Sequence, residues 1–199
     1  MEKKYLLKAI KALSEGKIVV YPTDTLYGLG ADIYNEEAIK KIFKIKKRPY
    51  SIPIPIAVSS LKELQKIAYI DDKTKIVAKK FLPGKLTLIL KKRDNISDIL
   101  TANSDKIAVR IPNNEVALYL ISNFGPITAT SANIHNLKTP SDIKDIVMQF
   151  KESDITVYLD DGKLKGKSST IIDMAEKKIK IIREGSIEKK VILDVILNE

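Results

Sequence analysis

Four arginines stand out in a chain whose other basic residues are all lysine: Arg48, Arg93, Arg110 and Arg183, against 31 lysines (35 − 4). A planar guanidinium grips a phosphate or carboxylate through two parallel N–H bonds, which a lysine cannot do, so each retained arginine is a candidate anion contact. Three of the four lie beside strand ends or turns, whereas Arg93, in Lys91-Lys92-Arg93-Asp94, reads as part of a solvated charged turn. Hydroxyls and small residues cluster in Tyr21-Pro22-Thr23-Asp24-Thr25-Leu26-Tyr27-Gly28-Leu29-Gly30 and in Thr130-Ser131-Ala132-Asn133. Cysteine is absent and His135 is the single histidine. This excludes thiol nucleophiles, disulfides, thiolate zinc sites and multi-histidine metal sites. No Ser-His-Asp spacing can be assembled, and His135, near Asn133 and Asn136, reads as a loop residue. What remains is alignment and charge stabilisation of anionic reactants by cations, hydroxyls and backbone.

The elements that must position these residues follow from hydrophobic spacing. Leu6, Leu7, Ile10 and Leu13 predict a helix stopped by Gly16, and Ile18-Val19-Val20 a strand that delivers residues 21–30 as a polar loop at a sheet edge. Helices are expected over Glu36–Lys46, from Ser59 or Ser60 through Ala68, near Lys73–Phe81, Val116–Ser122 and Ile143–Phe150, with a last one capped by Ser186. Strands are expected at Ile54–Val58, Leu86–Leu90, Ile107–Pro112, Ile127–Ala129, Ile155–Leu159, Thr170–Asp173 and Lys178–Arg183. Lys46 to Pro55 is too proline-rich for a helix and reads as a rigid basic loop, while Asn95–Asp105 reads as irregular. Alternation early and strand richness late predict an α/β fold with a twisted mixed sheet flanked by helices.

Composition sets the outer bounds. A chain of 199 residues with 44% hydrophobic content can bury a core as one domain over 1–199. The net charge of +10 suits a nucleotide, a nucleic acid or another polyanion, although a lysine, glutamate and isoleucine bias also simply coats a surface. No long apolar run appears and Met1-Glu2-Lys3-Lys4 lacks a signal segment, so a cytoplasmic location without membrane contact is expected. No heptad or long apolar stripe is present, so a monomer is expected. Two nucleotide motifs fail. Gly162 to Ser168 has three residues between its glycines where a phosphate loop needs four, and Gly28-Leu29-Gly30 lacks the third glycine of a dinucleotide fingerprint.

The ordered set Pro22-Thr23-Asp24-Thr25-Leu26-Tyr27-Gly28-Leu29-Gly30, Lys46-x-Arg48-Pro49 with Pro53, Val109-Arg110-Ile111-Pro112, Ser131-Ala132-Asn133, Ser169-Thr170-Ile171 and Arg183-Glu184-Gly185 closely resembles the YrdC-like family. Each motif is weak alone; together, over residues 21–185, they are specific. The resemblance implies a YrdC/RibB-like twisted α/β fold curled around a large basic cavity. It implies threonylcarbamoyl-AMP synthesis from L-threonine, bicarbonate and ATP, feeding the t6A modification of tRNA through a downstream threonylcarbamoyl transferase. By resemblance, Lys46 and Arg48 meet the phosphates, with Ser131, Asn133, Thr139 and Arg183 also on the nucleotide side. Thr25, Arg110, Ala129 and Ser169 hold threonine or its carbamate, and Lys46, Arg48 and Arg110 carry the catalysis. Magnesium is expected with ATP, with no protein metal cage and no organic cofactor. Tyr27 is expected to shape the pocket.

This chain departs from the family pattern at Ile52 and Ala57, where many members carry asparagine and histidine. Compensation is expected from Tyr50, Ser51 or water. Longer relatives add a C-terminal domain, and this chain is read as the single-domain form. Taken singly, Arg110 admits a structural pairing with Glu115, and Arg183 with Asp173 or Glu184. Two alternatives stand: a module that holds tRNA or double-stranded RNA by phosphate contacts, and a carbamoyl-adenylate domain like that of hydrogenase-maturation proteins.

Overall fold

The computed structural model describes residues 1–151, 153–176 and 178–197. Helix α1 (Lys3–Ser14) leads into β1 (Ile18–Tyr21), whose two faces are both buried. Ile18 and Val20 enter one apolar cluster while Val19 and Tyr21 enter another, the period-two alternation that a central strand imposes. The chain turns into β2 (Gly28–Gly30), antiparallel to β1, so the two glycines form a strand rather than the predicted loop. Strand pairing explains the glycines: a Cβ at Gly28 would press to 3.1 Å from the Tyr21 ring.

Next come α2 (Glu36–Lys46), β3 (Ile56–Ala57), α3 (Leu61–Ile67), α4 (Asp72–Phe81), β4 (Leu86–Lys91), α5 (Asp98–Thr101), β5 (Lys106–Arg110) and α6 (Glu115–Phe124). The expected cap at Ser60 holds, its side chain accepting the Glu63 amide of α3, and Asn35 and Asn114, which were not expected as caps, accept first-turn amides of α2 and α6. The short α5 lies inside the segment read as irregular; its polar letters hid Leu100 and Thr101, both fully buried.

The chain ends with β6 (Ile127–Thr128), β7 (Thr130–Ser131), α7 (Ile143–Gln149), β8 (Ile155–Tyr158), β9 (Thr170–Asp173), β10 (Lys180–Arg183) and α8 (Lys189–Leu197). Ser186 does not cap the last helix. Its hydroxyl donates to the Lys167 and Ser168 carbonyl oxygens, tying down the segment before β9.

The strands form two sheets, ordered β7-β2-β1-β8 and β10-β9-β4-β5-β3-β6. Both are mixed: β1 is antiparallel to β2 and parallel to β8, and β4 is antiparallel to β5 and parallel to β9. The chain passes from one sheet to the other three times: along residues 31–55, between β2 and β3, at Ala129, between β6 and β7, and along residues 159–169, between β8 and β9. No helix among the described residues is long and apolar enough to cross a membrane.

Candidate active site

The three crossings and the β1–β2 turn surround a cavity of about 640 Å³. Its wall carries Arg48, Arg110 and Arg183 together with Thr25, Ser131, Thr139 and Ser169 and, among the described residues, no carboxylate. Two other depressions of about 580 and 500 Å³, beside Tyr5 and along α8, are lined by carboxylates as well as apolar groups and, among the described residues, carry no arginine.

Arg48 follows α2 and is braced by the proline loop, its Nε donating to Ile52 O at 3.1 Å and its Nη2 to Pro53 O at 2.8 Å. Two loop carbonyls thus fix the guanidinium plane while one edge faces the cavity. Arg183, at the end of β10, donates through Nη2 to Ser169 O at 2.9 Å rather than pairing with Asp173 or Glu184. Arg110, at the end of β5, pairs with Asp24 and not with Glu115, Nη2 to Oδ1 at 2.7 Å, and its Nη1 donates to Thr25 Oγ1 at 3.0 Å. Burial lowers the pKa of all three guanidiniums, and the charge of Arg110 adds to that effect on Arg183. A cavity walled by cations under such strain favours an anion, which relieves it.

The hydroxyls are held too. Thr23 Oγ1 donates to Leu26 O at 2.6 Å and accepts the Thr25 amide at 3.1 Å, which presents the Thr25 side chain to Arg110. Ser169 Oγ lies 2.8 Å from Thr87 Oγ1 and Ala129 N donates to Pro55 O at 2.7 Å, so both are fixed by neighbouring strands.

Two expected nucleotide contacts, Lys46 and Asn133, stand behind the wall instead. Lys46 is 1% exposed, and its Nζ donates to Ser131 O at 2.5 Å and to Asn133 O at 2.6 Å, with Asn133 Oδ1 at 3.4 Å. Three acceptors match the three donors of an ammonium. Burial, with Arg48 second, pushes its pKa down to about 7. Asn133 is 8% exposed; it accepts from Ser131 Oγ and donates to the Ile134 and Leu137 carbonyls. Both residues shape the turn that carries Ser131. Lys46→Met is therefore expected to cost about 3 kcal/mol, because it strips charged hydrogen bonds from buried carbonyls. A melting curve should show Tm lower by roughly 10 °C.

Tyr27 lines the cavity as expected, and burial pushes its phenol up to about 12, so it stays protonated. It accepts from Asp161 N at 2.9 Å and donates to Gly162 O at 2.7 Å, anchoring residues 159–169. Leu164 N donates to Ser141 O at 2.8 Å, and Gly166 packs on the Thr25 backbone, where a Cβ would lie 2.6 Å from Thr25 Cα. The segment is a strap, with Lys163, Lys165 and Lys167 turned outward and Ser168 on the cavity wall. In the sequence the strap registered only as a failed phosphate loop, and Asp24 only as one member of its motif with no role given; the contact of Asp24 with Arg110 spans 86 residues and leaves no local signal. The compensation expected from Tyr50 and Ser51 is absent: neither lies on the wall, Tyr50 stacks on Phe43 with centroids 4.5 Å apart, and Ile52 presents an apolar surface.

Fold and site define an α/β protein with an arginine-lined hollow between two sheets. Residues 11–185 match the Sua5/YciO/YrdC family, described as telomere recombination, and the chain belongs to that family. It is 40% identical over 188 residues to a putative threonylcarbamoyl-AMP synthase of Methanocaldococcus jannaschii, covering 94% of this chain and 88% of that protein. It is 37% identical to a threonylcarbamoyl-AMP synthase of Pyrococcus abyssi, covering 92% of this chain but 55% of that longer protein. The crystal structure of Pyrococcus abyssi Sua5 complexed with L-threonine superposes with a TM-score of 0.94 at 36% identity, over 98% of this chain and 58% of the other.

Proposed function

We propose that this protein is an L-threonylcarbamoyladenylate synthase that supplies t6A synthesis. The observation that carries the reading is the convergence of Arg48, Arg110 and Arg183 with Thr25, Ser131 and Ser169 on one wall that, among the described residues, has no carboxylate. The threonine amine and bicarbonate condense to a carbamate with loss of water. A carbamate oxygen then attacks the α-phosphorus of ATP, forming an O–P bond as the bond to the pyrophosphate leaving group breaks. Neither step needs a protein nucleophile, consistent with a chain that has no cysteine. The protein's part is to align the carbamate with the phosphorus and to stabilise charge moving onto pyrophosphate.

In this reading Arg48 and Arg183 meet the triphosphate with Ser131 and Thr139, while Lys46 and Asn133 serve that side from behind by fixing the Ser131 turn. Arg110, Thr25, Ala129 and Ser169 form the amino-acid side, with Arg110 facing the threonine carboxylate. ATP arrives as its magnesium complex, the metal held by phosphate and water. The product is a mixed anhydride prone to hydrolysis, which calls for a downstream transferase that accepts it directly.

The test is pyrophosphate release by the purified chain with ATP, bicarbonate and each amino acid in turn. Release should depend on threonine. Release independent of any amino acid would reject the reading, as would ATP-independent binding of RNA with no turnover.

A further inference from the structure

Asp24 is not on the cavity wall, yet it is tied to the wall's most buried cation. Its side chain is 9% exposed and that of Arg110 is 8% exposed. One oxygen does the work: Asp24 Oδ1 accepts from Arg110 Nη2 at 2.7 Å and from Asn113 N at 3.1 Å. Asp24 Oδ2 and Arg110 Nε are both buried without a partner. An arginine and a carboxylate left to themselves close a two-bond fork that uses both oxygens. Here that fork is held open. Arg110 is stretched between Asp24 on one side, Thr25 Oγ1 at 3.0 Å on the other, and Gly84 O at 3.3 Å. Asp24 in turn joins the β1–β2 turn to the residues after β5, fixing its own position. Its charge also opposes the burial that disfavours the Arg110 cation, allowing Arg110 and Arg183 to share one wall.

We propose that Asp24 is the positioning residue of the amino-acid side: it fixes the guanidinium plane of Arg110 beside the Thr25 hydroxyl and so sets affinity for the amino acid, not for the nucleotide. This rests on Arg110 facing the threonine carboxylate. A guanidinium free to rotate would still attract an anion but would not present a fixed pair of donors to it.

The experiment compares wild type, Asp24→Asn and Arg110→Ala, varying threonine at saturating ATP and then ATP at saturating threonine, with melting curves for each. Asp24→Asn should raise the threonine KM at least tenfold, leave the ATP KM within twofold and lower kcat by less than the rise in KM. A general loss of structure would move both KM values together, and that result overturns the proposal, as does an unchanged threonine KM. If Asp24→Asn does not fold, Asp24→Glu decides, since it keeps the charge but displaces it by one methylene. The same selective rise, smaller in size, is expected there, and its absence overturns the proposal. An Arg110→Ala variant with a normal threonine KM would instead remove the amino-acid assignment itself. A raised KM in Arg110→Ala with a normal one in the Asp24 variants would remove only the positioning role.

Discussion

Arg110→Ala is expected to cut threonine-dependent pyrophosphate release by at least about 1,000-fold, the scale associated with losing a preorganised charged donor in a water-poor site. The size follows from burial. Arg110 is 7% exposed and its guanidinium organises Thr25 and Asp24 at once, so no water-borne cation can replace it. Removing it also leaves the Asp24 carboxylate buried without its cation, at a cost of about 3 kcal/mol in stability. Activity and Tm must therefore be read together. Arg110→Lys separates the two effects: it restores a charge near Asp24 and much of the Tm, but not the planar donor geometry, so release should stay at least about 100-fold low. Wild-type turnover in either variant would remove Arg110 from the site.

Gly166→Val is expected to be comparably damaging although residue 166 offers no side chain to any reactant. A Cβ there would lie 2.6 Å from Thr25 Cα and 2.8 Å from its carbonyl carbon, both backbone atoms that cannot step aside. The strap must lift, and Ser168 leaves the wall with it. A loss of at least about 100-fold in kcat/KM is expected, since displacement of about 1 Å at a reacting site already costs that much. Because Tyr27 and Ser141 still tether the strap, Tm should fall by only a few degrees, roughly 1 kcal/mol's worth for a chain of this size. Limited proteolysis should cut the variant between residues 163 and 167 faster than wild type. Normal kinetics in Gly166→Val would show that the strap plays no part in turnover.

Much of the architecture was legible because its signals are local. The amphipathic spacing of α2, the Ser60 cap of α3 and the apolar runs of β1, β4 and β5 each depend on neighbours within a few residues. What was not legible depends on distant partners. Gly28-Leu29-Gly30 read as a loop because glycine usually marks one, and only the Tyr21 ring packed against it reveals a strand. Of the site, the arginine positions were readable from their rarity among lysines, and the structure gathers Arg48, Arg110 and Arg183 on one wall while leaving Arg93 outside, stacked over Tyr69 at 4.4 Å. Lys46 shows the limit of motif reasoning: its proximity to Arg48 in sequence says nothing of the direction its ammonium takes, which is set by the turn at residues 131–133 folding over it.

The passage of the chain from one sheet to the other at a single alanine has a mechanical corollary. Ser131 rides on one slab and Arg110 and Arg183 on the other, so the wall that gathers them is assembled from two stiff plates. A substitution that thickens the seam at Ala129, where the backbone is bonded to Pro55, would act as a shim and detune the alignment from outside the reacting atoms.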